Sequence, residues 1–543
     1  MSESPWGPLD RLVALSDTLA GAWGARARAC TTIGTERAIL RLCGVNGVDR
    51  SGRPLAGEVA ERYLAGHHDR LGAGILLPFA MAMLEYDMGA QDVALDAASG
   101  AIDLMLEEDL LRTPHQRARA EIEARRLVAA AFDRIDANRT ARRELLDVLG
   151  ESPQPWFGST LSAPALDIGR GEALRLIDAG ADLIRIAIPA GRELVASIGE
   201  AGSGLGSGAD RAGPGAPLGP PRDRFSSGAH RFPGDDAPAG SQRGLAELRR
   251  IVDEAGAERR RYVRLATIGP ALSAPEQAVV AAFERVDVVD VDPIVEIVGE
   301  GVDPDRALAD HAFAHRLLRR AGATVLIGAG PLVVAPDLAR GRPSEPATRA
   351  GSALALQLLS AALARADGLS DEQIVVGAMP GWLLEERDPT IQAIAQVALR
   401  RALFPVNGLA FDEPPASTAS EGWPFVFAAA VPGSEPTALV LRRAEPERVR
   451  QVGEATRAAS RVGREVSSAF GARPLHGPAL AHARAVVAAA QSLLERLSDE
   501  GWQAVLGAAV GPSDRYLLAH DTVAERSDDF DPLSLEQPTV RGA

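Results

Sequence analysis

A chain of 543 residues with 46% hydrophobic content is long enough for two or three domains and a large core. Its net charge of −15 is spread along the chain, which argues against nucleic acid and anionic membranes as main partners. All 58 basic residues are arginine, so the chain has no lysine amine with which to hold an aldehyde cofactor as a Schiff base.

The N-terminus (MSESPWGPLD) has no basic region followed by an apolar one, and no run of about 18 apolar residues follows anywhere. These features predict a soluble, cytoplasmic protein. From Leu9 to about Leu149 the apolar spacing is helical, clearest over Ala120–Arg139 and stopping near Asn138 and Arg139; no strand is predicted there. Cys30 and Cys43 lie close together in this region. Two thiols make neither a disulfide framework nor a zinc cluster, and they read as reduced core residues.

After Pro155 the rhythm changes. Short apolar runs at Asp182–Ile188, Tyr262–Ile268, Val286–Val291, Ala323–Ile327 and Gln373–Gly377 each follow a helical stretch. Continuous Val/Ile/Leu runs alternating with helices predict a parallel sheet covered on both faces. A closed (β/α)8 TIM barrel over residues 151–440 is the leading expectation, with an open doubly wound sheet as the alternative. The stretch 201–240, rich in Gly, Ser and Pro, reads as a flexible insertion, either a lid or inert length. Helices are expected again over 441–520, then a disordered acidic tail over 521–543.

Few residues signal chemistry directly. Period-two geometry puts Asp290 and Asp292 on one face at the carboxyl end of their strand, where a barrel places ligand contacts; an ordinary Asp-Pro turn explains them equally well. His311 and His315 have the i, i+4 spacing of a metal pair, but no third ligand is evident, and a surface pair is the expectation. Gly328-Ala329-Gly330 ends a strand and could cradle a phosphate, or simply form a tight turn. The chain has no P-loop, no G-x-S-x-G, no C-x-x-C and no D-x-H-x-x-G cobalamin motif.

The segment Thr31–Asp49 (TTIGTERAILRLCGVNGVD) carries more information. It resembles the TT-x3-ERA-x2-RL-x-G-x-x-GVD segment near the start of the large (alpha) subunit of lysine 5,6-aminomutase. Similar strings follow in register at Asp178–Arg185, Arg261–Leu265, Glu284–Val288, Leu369–Gln373, Glu386–Pro389 and Ala402–Pro405. The resemblance covers most of the chain outside the insertion and tail. It implies a TIM barrel flanked by helices that pairs with a small subunit. That subunit carries the cobalamin-binding domain and the lysine that holds pyridoxal phosphate (PLP). The implied reaction is a radical shift of a terminal amino group on lysine, β-lysine or ornithine, with adenosylcobalamin as the radical source.

The resemblance also implies where the cofactor contacts should fall. Positions that hold phosphate-side Arg and Ser in the family are Ile188 and Glu193 here, a further Ser is Pro270, a stacking Tyr is Val295, and another Arg is Glu300. The family's Asp beyond the next strand has no counterpart around Gly328–Leu332. Asp292 and Arg264 do match a family Asp and Arg, and Arg192, beside Glu193, is a candidate substitute cation. Asp292, Arg264 and Arg192 are thus the candidate cofactor-binding residues. Two readings remain open: an aminomutase large subunit with a rearranged site, or a non-catalytic paralogue that scaffolds or regulates a partner.

Overall fold

The structure, a computed structural model, describes residues 7–49, 54–64, 68–152, 156–161, 166–187, 237–269, 271–300, 302–328, 345–378, 389–412, 438–442, 449–451, 453–454, 457–458, 461, 465, 476–502, 504–505, 523–527 and 530–534. Ten strands fall in these residues: β1 Cys30–Thr32, β2 Trp156–Thr160, β3 Leu183–Ala187, β4 Arg264–Ile268, β5 Val288–Asp290, β6 Thr324–Ile327, β7 Ile374–Gly377, β8 Gly408–Asp412, β9 Ala438–Arg442 and β10 Val523–Glu525.

Strands β2 to β9 form a closed parallel barrel in sequential order, and β9 returns to pair with β2. The open-sheet alternative is thereby excluded. Each barrel strand is only three to five residues long, so one apolar layer fills most of the interior. Leu183, Ala266, Val288, Leu326, Val375 and Ala410 make that layer, with Trp156 packed against it. Their alternate neighbours (Ile184, Leu265, Val289, Val325, Val376, Leu409) join the larger core beneath the surrounding helices. Both faces of the strands are therefore buried, as continuous apolar runs require.

The N-terminal layer is docked by the Thr31–Leu42 segment. Every residue of the Ile33–Leu42 helix is buried. Thr32 caps that helix through the Thr35 amide and also donates to Asp310. Arg41 reaches across to Glu276 at 2.8 Å, and Arg306 pairs with Asp310 at 2.5 Å. Charged side chains this deep are tolerated because each has an opposite charge within reach. At the other end of the chain, the Gly477–Glu500 helix packs on the Pro346–Ala366 helix. The approach is so close that a Cβ on Gly351 would lie 2.5 Å from the Ala489 Cβ.

Several expectations are corrected here. The N-terminal region does contain a strand: β1 pairs antiparallel with β10, which belongs to the tail expected to be disordered. Beyond β10, the ring of Phe530 is buried beneath Arg125, and Asp531 pairs with Arg316 at 2.6 Å. The helix of Ala120–Arg139 continues as Pro114–Leu149. Asn138 does not stop it, because its side chain caps a neighbour instead, donating to the Ala282 and Phe283 carbonyls. Cys30 is only partly buried, while Cys43 is buried; both are free thiols. Residues 201–236 of the insertion lie outside the described residues, and 237–240 begin the Ala237–Arg259 helix. Among the described residues no helix is long and apolar enough to cross a membrane.

Asp287, just ahead of β5, ties the helical layer to the barrel. It accepts from the Tyr262 hydroxyl (2.7 Å) and the Leu265 amide (2.8 Å), and pairs with Arg142 and Arg249, each at 2.9 Å. Burial alone would raise its carboxyl, but the two guanidinium groups and these donors hold it below the usual aspartate value of 3.8. Its stabilising contribution is therefore complete above that value and is lost as pH falls through the depressed folded-state value. Asp287→Ala takes the carboxylate from buried Arg142 and leaves Arg249 with Asp253, and should cost roughly 3–5 kcal/mol near neutral pH. Urea unfolding at successive pH values checks this: the gap between wild type and variant should shrink below about pH 4.

Candidate functional site

In a TIM barrel the ligand-facing end is the carboxyl end of the strands. Above the apolar layer here, the next inward positions include Arg185 on β3 and Asp290 on β5, two residues beyond Leu183 and Val288. The Arg185 Nη2 donates to the Asp290 Oδ2 at 2.7 Å, across the top of β4. The two side chains are 8% and 15% exposed, so the pair sits at the floor of the mouth rather than in bulk water. Burial pushes the Asp290 carboxyl upward, opposed by Arg185 and reinforced by the nearby Asp292.

Asp292 is also buried, but it does not face Arg185. One carboxylate oxygen accepts from the Ile294 amide (2.9 Å) and the Ser360 hydroxyl (2.7 Å); the other accepts from the Gly328 amide (2.9 Å). Asp292 thus caps the helical turn Pro293–Val295 and ties the end of β5 to the end of β6 and the Pro346–Ala366 helix. Behind it, Gln357 donates to the Gly328 and Gly377 carbonyls, and Arg400 donates to Gln357 and Gly377. Arg400 is fully buried and among the described residues has no carboxylate partner, and burial lowers its guanidinium to about 9.

The pairing of Asp290 with Asp292 is therefore replaced by two separate roles. Asp290 forms an ion pair in the mouth, and Asp292 braces the loops around it. Gly328 has φ +60°, and its amide is spent on Asp292. Arg264 is corrected more sharply. It opens β4 at the amino end of the barrel, stacks 3.3 Å from the Trp156 ring centroid and bonds Glu151 at 3.1 Å. It faces away from the mouth. Arg192, Ile188, Glu193 and Pro270 lie outside the described residues, as does the side chain of Glu300.

His311 and His315 are not a surface pair. Both are buried; the His311 Nδ1 meets the Ala307 carbonyl and the His315 Nδ1 meets Asp367, at 2.9 and 3.0 Å. Burial, with His315 nearby, lowers His311 to about 3. Among the described residues no group of three or more His, Cys, Asp or Glu is placed to hold a metal. Arg185, Ser360, Gln357 and Arg400 were missed in the sequence. Arg185 alone carried a signal, being a charge at an inward position of an otherwise apolar strand.

A family model described as the D-lysine 5,6-aminomutase TIM-barrel domain of the alpha subunit matches residues 9–208 and 235–421. The chain belongs to this family. It is 23% identical over 393 residues to the lysine 5,6-aminomutase alpha subunit of Fusobacterium nucleatum, and 23% identical over 386 residues to that of Acetoanaerobium sticklandii. Each alignment covers 71% of this chain and 66% of the relative, so the chain spans just under two thirds of the relatives' length.

Membership of the aminomutase alpha family raises the question of whether these residues fit PLP. A phosphate dianion wants free amides or guanidinium groups. Among the described residues of the mouth, the Gly328 amide is committed to Asp292 and Arg185 to Asp290, whose carboxylate would repel a dianion. Val295, where the resemblance expects a stacking ring, packs against the core. The described residues do not fit a phosphate-anchored PLP.

The brace is testable by itself. Asp292→Asn must turn an NH2 toward one of its donors, and should cost about 1–3 kcal/mol in urea unfolding. Gly328→Ala should also destabilise, because its Cβ would lie 2.7 Å from the Gln357 Nε2 at a left-handed φ. Unchanged midpoints in both variants would show that Asp292 does not hold the loops.

Proposed function

We propose that this chain is the barrel subunit of an adenosylcobalamin- and PLP-dependent aminomutase assembly in the cytoplasm. The assembly shifts the terminal amino group of lysine, β-lysine or ornithine to the neighbouring carbon. A small partner subunit carries the cobalamin and the lysine that binds PLP. The observation that carries this reading is a family match that takes in seven of the eight strands of a closed barrel, in a chain without a single lysine. Such a chain needs an amine from elsewhere for any Schiff-base chemistry. In this reading, the barrel's own contribution is a dry apolar floor with one ion pair at its rim.

A second reading is favoured by a specific observation: Arg185, Gly328 and Asp292 are engaged with protein partners, and Val295, where the resemblance implies a stacking ring, packs against the core. A barrel of this kind suits a non-catalytic paralogue that scaffolds or regulates an aminomutase or another partner.

Co-expression with the small subunit encoded nearest to it separates the two. The first reading expects a stable complex that retains PLP, with visible cofactor absorbance, and converts lysine or ornithine when adenosylcobalamin is added. A stable complex without retained PLP and without amine migration would overturn the first reading in favour of the second.

A further inference from the structure

The Gly477–Glu500 helix meets the barrel helix Pro389–Leu403 through a polar contact of 3.4 Å between the Gln396 Nε2 and the His482 Nε2. The direction of that contact is fixed from the inside, because an arginine can only donate. The Arg400 Nη1 donates to the Gln396 Oε1 at 2.6 Å, so the amide nitrogen of Gln396 is the end turned to His482. A nitrogen that carries two hydrogens needs a lone pair opposite it, so His482 must be neutral there, with its proton on Nδ1. Arg400 also donates through Nε to the Gln357 Oε1 and the Gly377 carbonyl, and Gln357 donates onward to the Gly328 and Gly377 carbonyls. A chain of directed bonds therefore runs from His482 to the ends of β6 and β7. Gln396 and Arg400 are fully buried, whereas His482 is partly exposed and open to a proton.

We propose that His482 is a pH-sensitive latch: neutral, it accepts from Gln396 and ties the Gly477–Glu500 helix to the loops of the barrel mouth; protonated, it releases them. Protonation puts an N–H on Nε2, donor against donor. Turning the Gln396 amide to meet it would move the same clash to Arg400, whose Nη2 is already buried without a hydrogen-bond partner. No arrangement keeps both bonds, and a buried donor left unmade is costly. On the described helices packed against this one, Arg11, Asp17, Arg26, Arg28, Arg365 and Arg401 bond other residues, and Asp10 and Arg349 complete the charged set. On its own helix the charges are Arg484 and, about three turns on, Glu495, Arg496, Asp499 and Glu500. Burial, rather than any of these, holds the His482 imidazole below its ordinary 6.5. The latch is therefore fully closed above that value and is lost as pH falls through the lowered folded-state value. His311 shifts in the same direction, so the latch has to be followed locally rather than through overall stability.

Hydrogen exchange on the full chain reads the latch, with wild type and variants compared at about pH 7.5 and about pH 5, on either side of the ordinary histidine value. His482→Gln offers an amide oxygen that accepts from Gln396 at either pH. At the lower pH, peptides spanning Gln396, His482 and the end of β7 should exchange about 2- to 10-fold faster in wild type than in this variant, the weight of one hydrogen bond. At the higher pH the two should match. Gln396→Glu presents acceptors to both Arg400 and His482, so its latch should tighten in acid instead. Histidine-selective NMR of the wild type should show His482, assigned by the signal missing from His482→Gln, as the Nδ1–H tautomer when neutral. Equal exchange in wild type and His482→Gln at both pH values would overturn the proposal. So would an Nε2–H tautomer in the neutral wild type, or a Gln396→Glu chain that loosens in acid as the wild type does.

Discussion

Every charge buried around the barrel has to be matched by donors or by an opposite charge, and the segment from Asp287 to Asp292 concentrates that demand. At the amino end of β5, Asp287 gathers Arg142 from the long N-terminal helix and Arg249 from a barrel helix. At the carboxyl end, Asp292 gathers the loops after β5 and β6. Asp290, between them, meets Arg185 among the described residues. The first two contacts hold the architecture, and the third forms the ion pair in the mouth.

This division explains how a divergent family member keeps the fold while altering the site. The apolar layer and the two satisfied aspartates depend only on the chain itself. Contacts to a ligand are under no such constraint, and Val295, where the resemblance leads one to expect a ring, packs against the core. The mouth also discriminates by charge. A phosphate dianion meets the Asp290 carboxylate beside Arg185.

The barrel was legible in the sequence because its five recognised strands are continuous apolar runs, and such runs leave little choice other than a buried parallel sheet. The strands β2, β8 and β9 were not recognised: WFGST and GLAFD are interrupted by small or polar residues and are not continuous Val/Ile/Leu runs. Pairing of β1 with β10 joins residues at opposite ends of the chain, which local periodicity cannot report. In the site, alternation correctly put Asp290 on an inward face. It could not show that Asp292 turns back to cap a helix, because that depends on Gly328 and Ser360, each at least 36 residues away. Arg264 illustrates the opposite failure. The resemblance set it against a family arginine, but its place at the start of β4 aims it at Trp156 rather than at the mouth.

The central claim is that the described donors of this mouth are committed within the chain, so that, under the proposed aminomutase reading, PLP would take its anchorage from the partner subunit. Phosphorus NMR of PLP added to the isolated chain tests it most directly. The account predicts the sharp signal of free cofactor with the chain alone, and a broadened, shifted signal only when the small subunit is present. A broadened signal with the isolated chain, competed away by inorganic phosphate, would contradict it.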